Sequence, residues 1–217
     1  MSSIMTVGDK EYIITDDASY EEYHRAMLQN MIDEVDLDDL ENTHVYKEIV
    51  VHVLQRMITE RNFSDKYLYD FICEYWSSIE NGEHLEYLAY YLEQLRYGFC
   101  SYSIEKQLKK RLAKQIDNEG YITIYRGFSD YNRNEGNSYT LSKDIAIWFS
   151  KRFSKEGEAS YVNKYKIHIE DVLAFITDRN EAEIVALPDG VILLETITDY
   201  SDKVKISAGC KIEYIAN

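Results

Sequence analysis

The feature that most constrains the fold is a change in hydrophobic pattern at residues 118–120, Asn-Glu-Gly. Before this segment, apolar residues recur every three or four positions, as in helices that bury one face. After it, apolar and polar residues alternate in short runs, which is typical of strands. The Asn and the Gly favour a helix end and a turn. We therefore predict an α+β chain, with an acidic helical region over residues 1–117 followed by a domain over residues 118–217 that has a twisted, mostly antiparallel β core and few helices.

Five helices are predicted in the first part from apolar spacing and from capping residues such as Asp16 and Ser64. Residues 10–15 precede them as a short strand or an extended arm. Residues 35–42 are rich in Asp and aperiodic, so we expect a solvated loop there. The predicted helices include residues 20–31, 46–58, 67–75, 85–95 and 104–112.

Composition limits the classes of function. The chain has 217 residues, of which 45% are hydrophobic, so it can bury a substantial core. No run of 18 apolar residues and no signal-peptide pattern occur, and the three cysteines fit neither a disulfide framework nor a metal site. We therefore expect a cytoplasmic protein without a membrane segment or a metal. The net charge of −15 argues against direct binding to nucleic acid.

Two strands of the second part carry charged residues in informative positions. Residues 121–126 alternate as a strand that ends at Arg126, and Gly127 lets a backbone or a ligand approach closely. A strand pattern over residues 181–187 places Glu181 and Glu183 on one face, about 6–7 Å apart by strand geometry. Two carboxylates beside an apolar run need water, a cationic partner such as Arg126, or a common ligand.

A third piece lies between these strands. Ser138, Tyr139 and Thr140 form a Ser-x-Thr segment, and Ser142 then begins a predicted helix. Further strands are predicted over residues 161–169, 191–196 and 211–215. The order of an Arg that ends one strand, a Ser-x-Thr segment and a Glu-x-Glu strand resembles the Arg-Ser-Glu class of NAD-dependent mono-ADP-ribosyltransferases. The middle Tyr and the final Thr depart from the usual Ser-Thr-Ser of that family.

The resemblance implies a catalytic set. Glu183 is the catalytic carboxylate, Glu181 orients or deprotonates the incoming nucleophile, and Arg126 binds diphosphate or ribose oxygens of NAD. Ser138 holds the active-site strand by bonding Glu183 or the ribose. Without the resemblance, Arg126 and Glu183 have a simpler interpretation as a cross-strand ion pair.

The resemblance also implies cofactor contacts. Gly127 offers main-chain groups to the nicotinamide amide, and Thr140 lies in the cofactor-binding segment. Phe149 is the assigned aromatic contact, although Tyr139 and Trp148 are alternatives for stacking on nicotinamide. The loop over residues 175–180 matches the position at which the family recognises its acceptor.

The function that the resemblance implies is the transfer of ADP-ribose from NAD to a protein acceptor, an arginine in the Glu-x-Glu group of the family. NAD is a co-substrate, and intracellular toxins or effectors of bacteria or their viruses act in this way. Two alternatives stay open. One is a non-catalytic acidic interaction or decoy protein, and the other is an NAD glycohydrolase without a macromolecular acceptor.

Overall fold

The computed structural model describes residues 2–60, 63–79, 82–98, 101–129, 136–152, 159–177 and 181–198, and the backbone of two strands at 204–207 and 211–214. Contacts divide the chain into two compact units, Met1–Ile79 and Glu80–Asn217. The sequence-based division at residues 117 and 118 marks the change in secondary structure, whereas the second compact unit already begins at Glu80. The extent of a catalytic domain within that unit stays a prediction.

The first unit contains a β-hairpin and three helices. Strands β1 (Ser3–Val7) and β2 (Lys10–Ile14) pair antiparallel. Residues 10–15 thus form a strand rather than an extended arm, and β1 was not predicted. Helix α1 (Asp17–Asp33) is capped by the Asp16 side chain, as expected. Helices α2 (Val50–Glu60) and α3 (Asp65–Trp76) complete the unit.

The acidic connector between α1 and α2 is less solvated than its composition suggests. It is a series of turns in which Val35 and Leu37 are only 4% and 5% exposed. The prediction of a solvated loop over residues 35–42 is confirmed for its acidic residues, which are exposed, whereas Val35 and Leu37 are buried.

In the part that the structure describes, the second unit combines three α-helices with a six-stranded antiparallel sheet. Helices α4 (Gly82–Tyr97) and α5 (Ser101–Leu112) precede the sheet. The chain then forms β3 (Tyr121–Ser129), β4 (Ser138–Thr140), α6 (Lys143–Arg152), β5 (Ser160–His168), β6 (Ala174–Ile176), β7 (Glu183–Val185) and β8 (Val191–Ile197).

The strands of this sheet lie in the order β6-β7-β4-β3-β5-β8, and every neighbouring pair is antiparallel. A separate hairpin follows, made of β9 (Val204–Ser207) and β10 (Lys211–Tyr214). The predicted α+β class and the antiparallel sheet are confirmed. No helix in the described ranges is both long enough and apolar enough to cross a bilayer.

One strand is shorter than predicted. The pattern over residues 181–187 suggested seven strand residues, but β7 contains only Glu183–Val185. Ala182, directly before it, has a φ of 46° and therefore leaves the extended conformation. The prediction that Glu181 and Glu183 belong to one regular strand is wrong, and the spacing that strand geometry gave for them does not apply.

Candidate functional site

A cavity of about 160 Å³ lies in the second unit, where β3, β4, β7 and α6 meet. It is lined by every residue that the sequence assigned to catalysis or to cofactor binding. Three further residues complete the lining, of which only Tyr139 was considered from the sequence, as an alternative aromatic contact. The assigned residues are Arg126, Gly127, Ser138, Thr140, Phe149, Glu181 and Glu183, and the additional ones are Tyr125, Tyr139 and Ala146.

The cavity lies where two neighbouring strands separate. β3 and β4 form a single residue pair, Tyr125 opposite Thr140, although β3 continues to Ser129 alongside β5. The cavity is lined by the residues that follow Tyr125 on β3 and by those that precede Thr140 on β4. A ligand at this position would contact both strands.

Main-chain groups on both sides of this opening point into it. The Asn137 carbonyl accepts a hydrogen bond from the Ala186 N–H at 3.0 Å, so it faces β7. Because peptide groups alternate between the two neighbours of a strand, the next residue, Ser138, directs its own toward β3. By the same alternation, Gly127 directs its N–H and C=O toward β4, as Tyr125 does two residues earlier.

Arg126 bridges the opening from the β3 side. Its Nη1 donates a hydrogen bond to the Ser138 carbonyl oxygen at 2.6 Å. The side chain also passes close to Gly136, where an added Cβ would lie 2.3 Å from Nη2. Burial lowers the pKa of Arg126, whereas the nearby Tyr139, Tyr165 and Glu183 groups oppose that shift. The guanidinium stays protonated because an arginine does not lose its proton in proteins.

Gly127 has a clear structural reason to be glycine. A Cβ at this position would lie 1.7 Å from the Ala146 carbonyl oxygen and 2.8 Å from the Ser150 nitrogen. The backbone of α6 therefore packs directly on β3. The close approach that the sequence predicted is made by a helix on the side where a Cβ would project, while the peptide groups of Gly127 point to β4.

Thr140 has a positioning role. It is 5% exposed, and its Oγ1 donates to the Glu181 carbonyl oxygen at 2.8 Å and accepts from the Ser142 N–H at 3.1 Å. Thr140 also stands directly opposite Glu183 in the pairing of β4 with β7. One side chain thus connects the segment that carries both carboxylates to the start of α6.

The register of β4 on β7 does not pair Ser138 with Glu183. Ser138 pairs with Val185, two residues beyond Glu183. Within the described residues, the structure records a hydrogen bond to the Ser138 carbonyl but none to its hydroxyl. Ser138 lines the cavity, so a contact with a ribose stays a prediction, whereas Thr140 takes the position beside Glu183.

The two carboxylates reach the cavity from different types of backbone. Glu183 is the first residue of β7 and is half-buried, whereas Glu181 precedes the strand and is 9% exposed. Ala182 between them is the one non-glycine residue with a positive φ in the described part of the chain. Such a conformation costs about 1 kcal/mol or more, and it concentrates at functional sites.

The aromatic candidates separate by position. Phe149 projects from α6 and lines the cavity. Its ring packs edge-on against that of Trp148, with the ring centroids 4.8 Å apart. Tyr139 is 4% exposed and also contributes to the lining, but Trp148 does not. Tyr125 was not predicted as a site residue, and it packs against the cluster of Ala146, Ile147 and Val162. The alternation of Tyr125 with Arg126 is visible in the sequence, but the separation of β3 from β4, which exposes Tyr125 to the cavity, is not.

Some sequence-based expectations fall outside the described residues. These are residues 178–180, which include Arg179 of the predicted acceptor-recognition loop, and residue 215 of the last predicted strand. In the ranges that the structure does describe, no group of three His, Cys, Asp or Glu side chains is arranged to hold a metal ion. No family model, no curated protein and no solved structure matches the chain.

Proposed function

We propose that this protein is an NAD-dependent mono-ADP-ribosyltransferase. One observation carries the proposal: an Arg, a Ser-x-Thr segment and a Glu-x-Glu segment, widely separated in the chain, line one cavity between separating strands. A β core that opens between β3 and β4 agrees with the twisted core that the resemblance implies. The order of the motif and its convergence in space are independent properties, which is why their agreement supports this function.

The size of the cavity defines which part of NAD enters it. Typical small-molecule sites enclose about 300–1,000 Å³, whereas this cavity encloses about 160 Å³. It therefore receives the nicotinamide and its ribose, and the rest of the dinucleotide extends outside. Arg126 contacts the ribose or the first phosphate, since guanidinium groups bind such oxygens through paired hydrogen bonds.

The remaining contacts follow from the directions of the groups that line the cavity. The N–H and C=O of Gly127 point toward β4 and match the acceptor and donor of the nicotinamide carboxamide. Phe149 provides an aromatic surface on the α6 side. These contacts hold the nicotinamide while the bond to its ribose breaks.

Glu183 acts on the ribose. Breaking the glycosidic bond leaves the electron pair on the nicotinamide nitrogen and a positive charge on the sugar. A carboxylate beside that sugar stabilises a charge that exists only in the transition state, and its hydrogen bond to the ribose 2′-OH strengthens as the charge grows. Thr140 opposite Glu183 limits the movement of the segment that carries this carboxylate.

Glu181 acts on the acceptor. A guanidinium acceptor binds a carboxylate, and it must lose a proton as its nitrogen attacks the ribose carbon. Glu181 lines the same cavity and is the nearest carboxylate to Glu183 along the chain. The acceptor is therefore an arginine of a protein, which loses one proton and gains the ADP-ribosyl group.

The test is an incubation with NAD labelled in its adenosine half, in the presence of agmatine as a small guanidine acceptor and then of a whole proteome. A transferase yields labelled agmatine or labelled protein, and Glu181→Gln loses this transfer while retaining slow release of nicotinamide. Glu195→Gln is the matched control, because Glu195 is exposed on β8 of the same sheet and away from the cavity.

Two other outcomes separate the alternatives. Free labelled ADP-ribose with no labelled acceptor identifies an NAD glycohydrolase. Absence of turnover together with absence of NAD binding at millimolar nucleotide overturns the enzymatic proposal and favours an acidic interaction protein.

A further inference from the structure

Tyr139 occupies an unusual place in the cavity wall. It is the middle residue of the Ser-x-Thr segment and is 4% exposed. The Arg126 guanidinium carbon lies 6.0 Å from the centre of the Tyr139 ring, on the edge of the range for a cation–π contact. Burial raises the pKa of the Tyr139 phenol to about 12, so the phenol is neutral at physiological pH. A large neutral aromatic group thus lies beside a half-buried cation.

A chain of contacts holds the Tyr139 ring in place. Its ring meets that of Tyr165 edge-on, with centroids 5.4 Å apart and planes at 82°. The Tyr165 hydroxyl accepts a hydrogen bond from Asn163 Nδ2 at 2.9 Å, and Thr196 Oγ1 donates to Asn163 Oδ1 at 2.7 Å. These contacts link β4 to two further strands of the sheet, because Tyr139 belongs to β4, Asn163 and Tyr165 to β5, and Thr196 to β8.

The strand register places this chain of contacts on the same face as Arg126. Arg126 pairs with Asn163, and Ile124 pairs with Tyr165. Paired residues of antiparallel strands project to the same face, and so do residues two positions apart. Arg126 therefore emerges next to a rigid aromatic and polar wall, which ends at Tyr139 across the opening.

We propose that Tyr139 is a positioning residue that fixes the Arg126 guanidinium for its contact with NAD, an inference that rests on the proposed function. The Tyr139 ring lies 6.0 Å from the guanidinium carbon and limits its movement on that side, while the bond to the Ser138 carbonyl fixes one of its nitrogens. Fewer conformations of the side chain then compete with the one that contacts the ligand. A small hydroxyl residue at position 139 could not fill this volume.

The proposal distinguishes the aromatic ring from the hydroxyl. The contact with Arg126 uses the ring, and the support from Tyr165 is ring to ring. Tyr139→Phe therefore keeps the position of Arg126, whereas Tyr139→Met fills similar volume with a flexible, non-aromatic side chain and loses it. Tyr165→Leu removes the ring that packs against Tyr139, so it is expected to loosen Arg126 as Tyr139→Met does.

Two measurements on the full-length protein test the proposal. One is the rate at which phenylglyoxal modifies Arg126, followed by mass spectrometry, which needs no NAD turnover. The other is the separation of KM for NAD from kcat. Tyr139→Met and Tyr165→Leu are expected to raise the modification rate and KM about tenfold, with kcat little changed, since a cation–π contact and its ordering are lost. Tyr139→Phe restores both values to near those of the natural protein.

A buried tyrosine in the other compact unit gives the control. Tyr69 on α3 is 5% exposed, and Tyr69→Leu reports the effect of general destabilisation. The proposal is overturned if Tyr139→Met and Tyr165→Leu show the same modification rates and the same KM values as Tyr69→Leu. If the natural protein turns over no NAD, the proposed function fails by itself, and the modification rates still decide whether Tyr139 positions Arg126.

Discussion

Arg126 donates a hydrogen bond from Nη1 to the carbonyl oxygen of Ser138, at a distance of 2.6 Å. The contact spans the opening between β3 and β4, where Tyr125 and Thr140 are the one residue pair of these strands among the described residues. The guanidinium therefore occupies a position at which a longer pair of β3 and β4 would form further backbone hydrogen bonds. The Arg and the Ser-x-Thr segment are thus joined by a bond from the Arg126 side chain to the main chain of Ser138, and not by a bond to the Ser138 hydroxyl.

The packing of α6 on Gly127 predicts a large loss of stability in Gly127→Ala. The new Cβ would lie 1.7 Å from the Ala146 carbonyl oxygen, and neither backbone can move without separating α6 from the sheet. We expect the free energy of unfolding in urea to fall by about 3 kcal/mol or more. Gly82→Ala is the control, because a Cβ at Gly82 meets nothing within 4 Å, and it should leave stability unchanged or slightly raised.

The two hydrogen bonds of Thr140 predict that Thr140→Val is destabilising despite its equal volume. Valine leaves the Glu181 carbonyl and the Ser142 N–H without this partner in a buried site. We expect a loss of about 2 kcal/mol in urea unfolding. Thr123→Val, at an exposed position of β3, is the control and should be near neutral. An equal effect of the two substitutions would contradict the positioning role of Thr140.

The positive φ of Ala182 predicts opposite effects on stability and activity. Glycine adopts a φ of 46° without strain, so Ala182→Gly should keep or raise stability, by up to about 1 kcal/mol. The added freedom between Glu181 and Glu183 should lower transfer to agmatine several-fold. Ala186→Gly provides the comparison, because Ala186 is fully buried and has no positive φ, and it should lose about 1 kcal/mol.

The raised pKa of Tyr139 predicts a loss of stability in alkaline solution. The unfolded phenol ionises near pH 10, whereas the folded one resists ionisation until about pH 12. The neutral phenol thus contributes stability that is complete below pH 10 and is lost as the pH rises toward 12. Urea unfolding between pH 9 and 12 should show a smaller decline in Tyr139→Phe, by about 2–3 kcal/mol at pH 12. An identical decline would show that the phenol ionises freely in the folded state.

The sequence predicted the identity of the residues around the cavity better than their geometry. The alternating pattern that ends at Arg126 and the Ser-x-Thr and Glu-x-Glu segments depend on local strand chemistry, which a sequence displays directly. All of these segments line the cavity. The separation of β3 from β4 depends on pairing between segments that are distant in the chain, so no local sequence pattern predicts it.

The error at Glu181 and the position of Thr140 opposite Glu183 have specific causes. The alternation over residues 181–187 assumed an extended backbone, but Ala182 interrupts it with a positive φ. The register of β4 on β7 places Thr140 rather than Ser138 opposite Glu183. A shift of two residues along a strand preserves the face of each side chain, so the periodicity could not distinguish these partners.

The proposed transfer of ADP-ribose depends most directly on the carboxylate of Glu183. The decisive measurement is the rate of nicotinamide release from NAD by the natural protein, by Glu183→Gln and by the Glu195→Gln control. We predict measurable release by the natural protein and by Glu195→Gln, and a loss of about 100-fold or more in Glu183→Gln with its fold intact. Release by Glu183→Gln at the rate of the natural protein would contradict a catalytic role for Glu183.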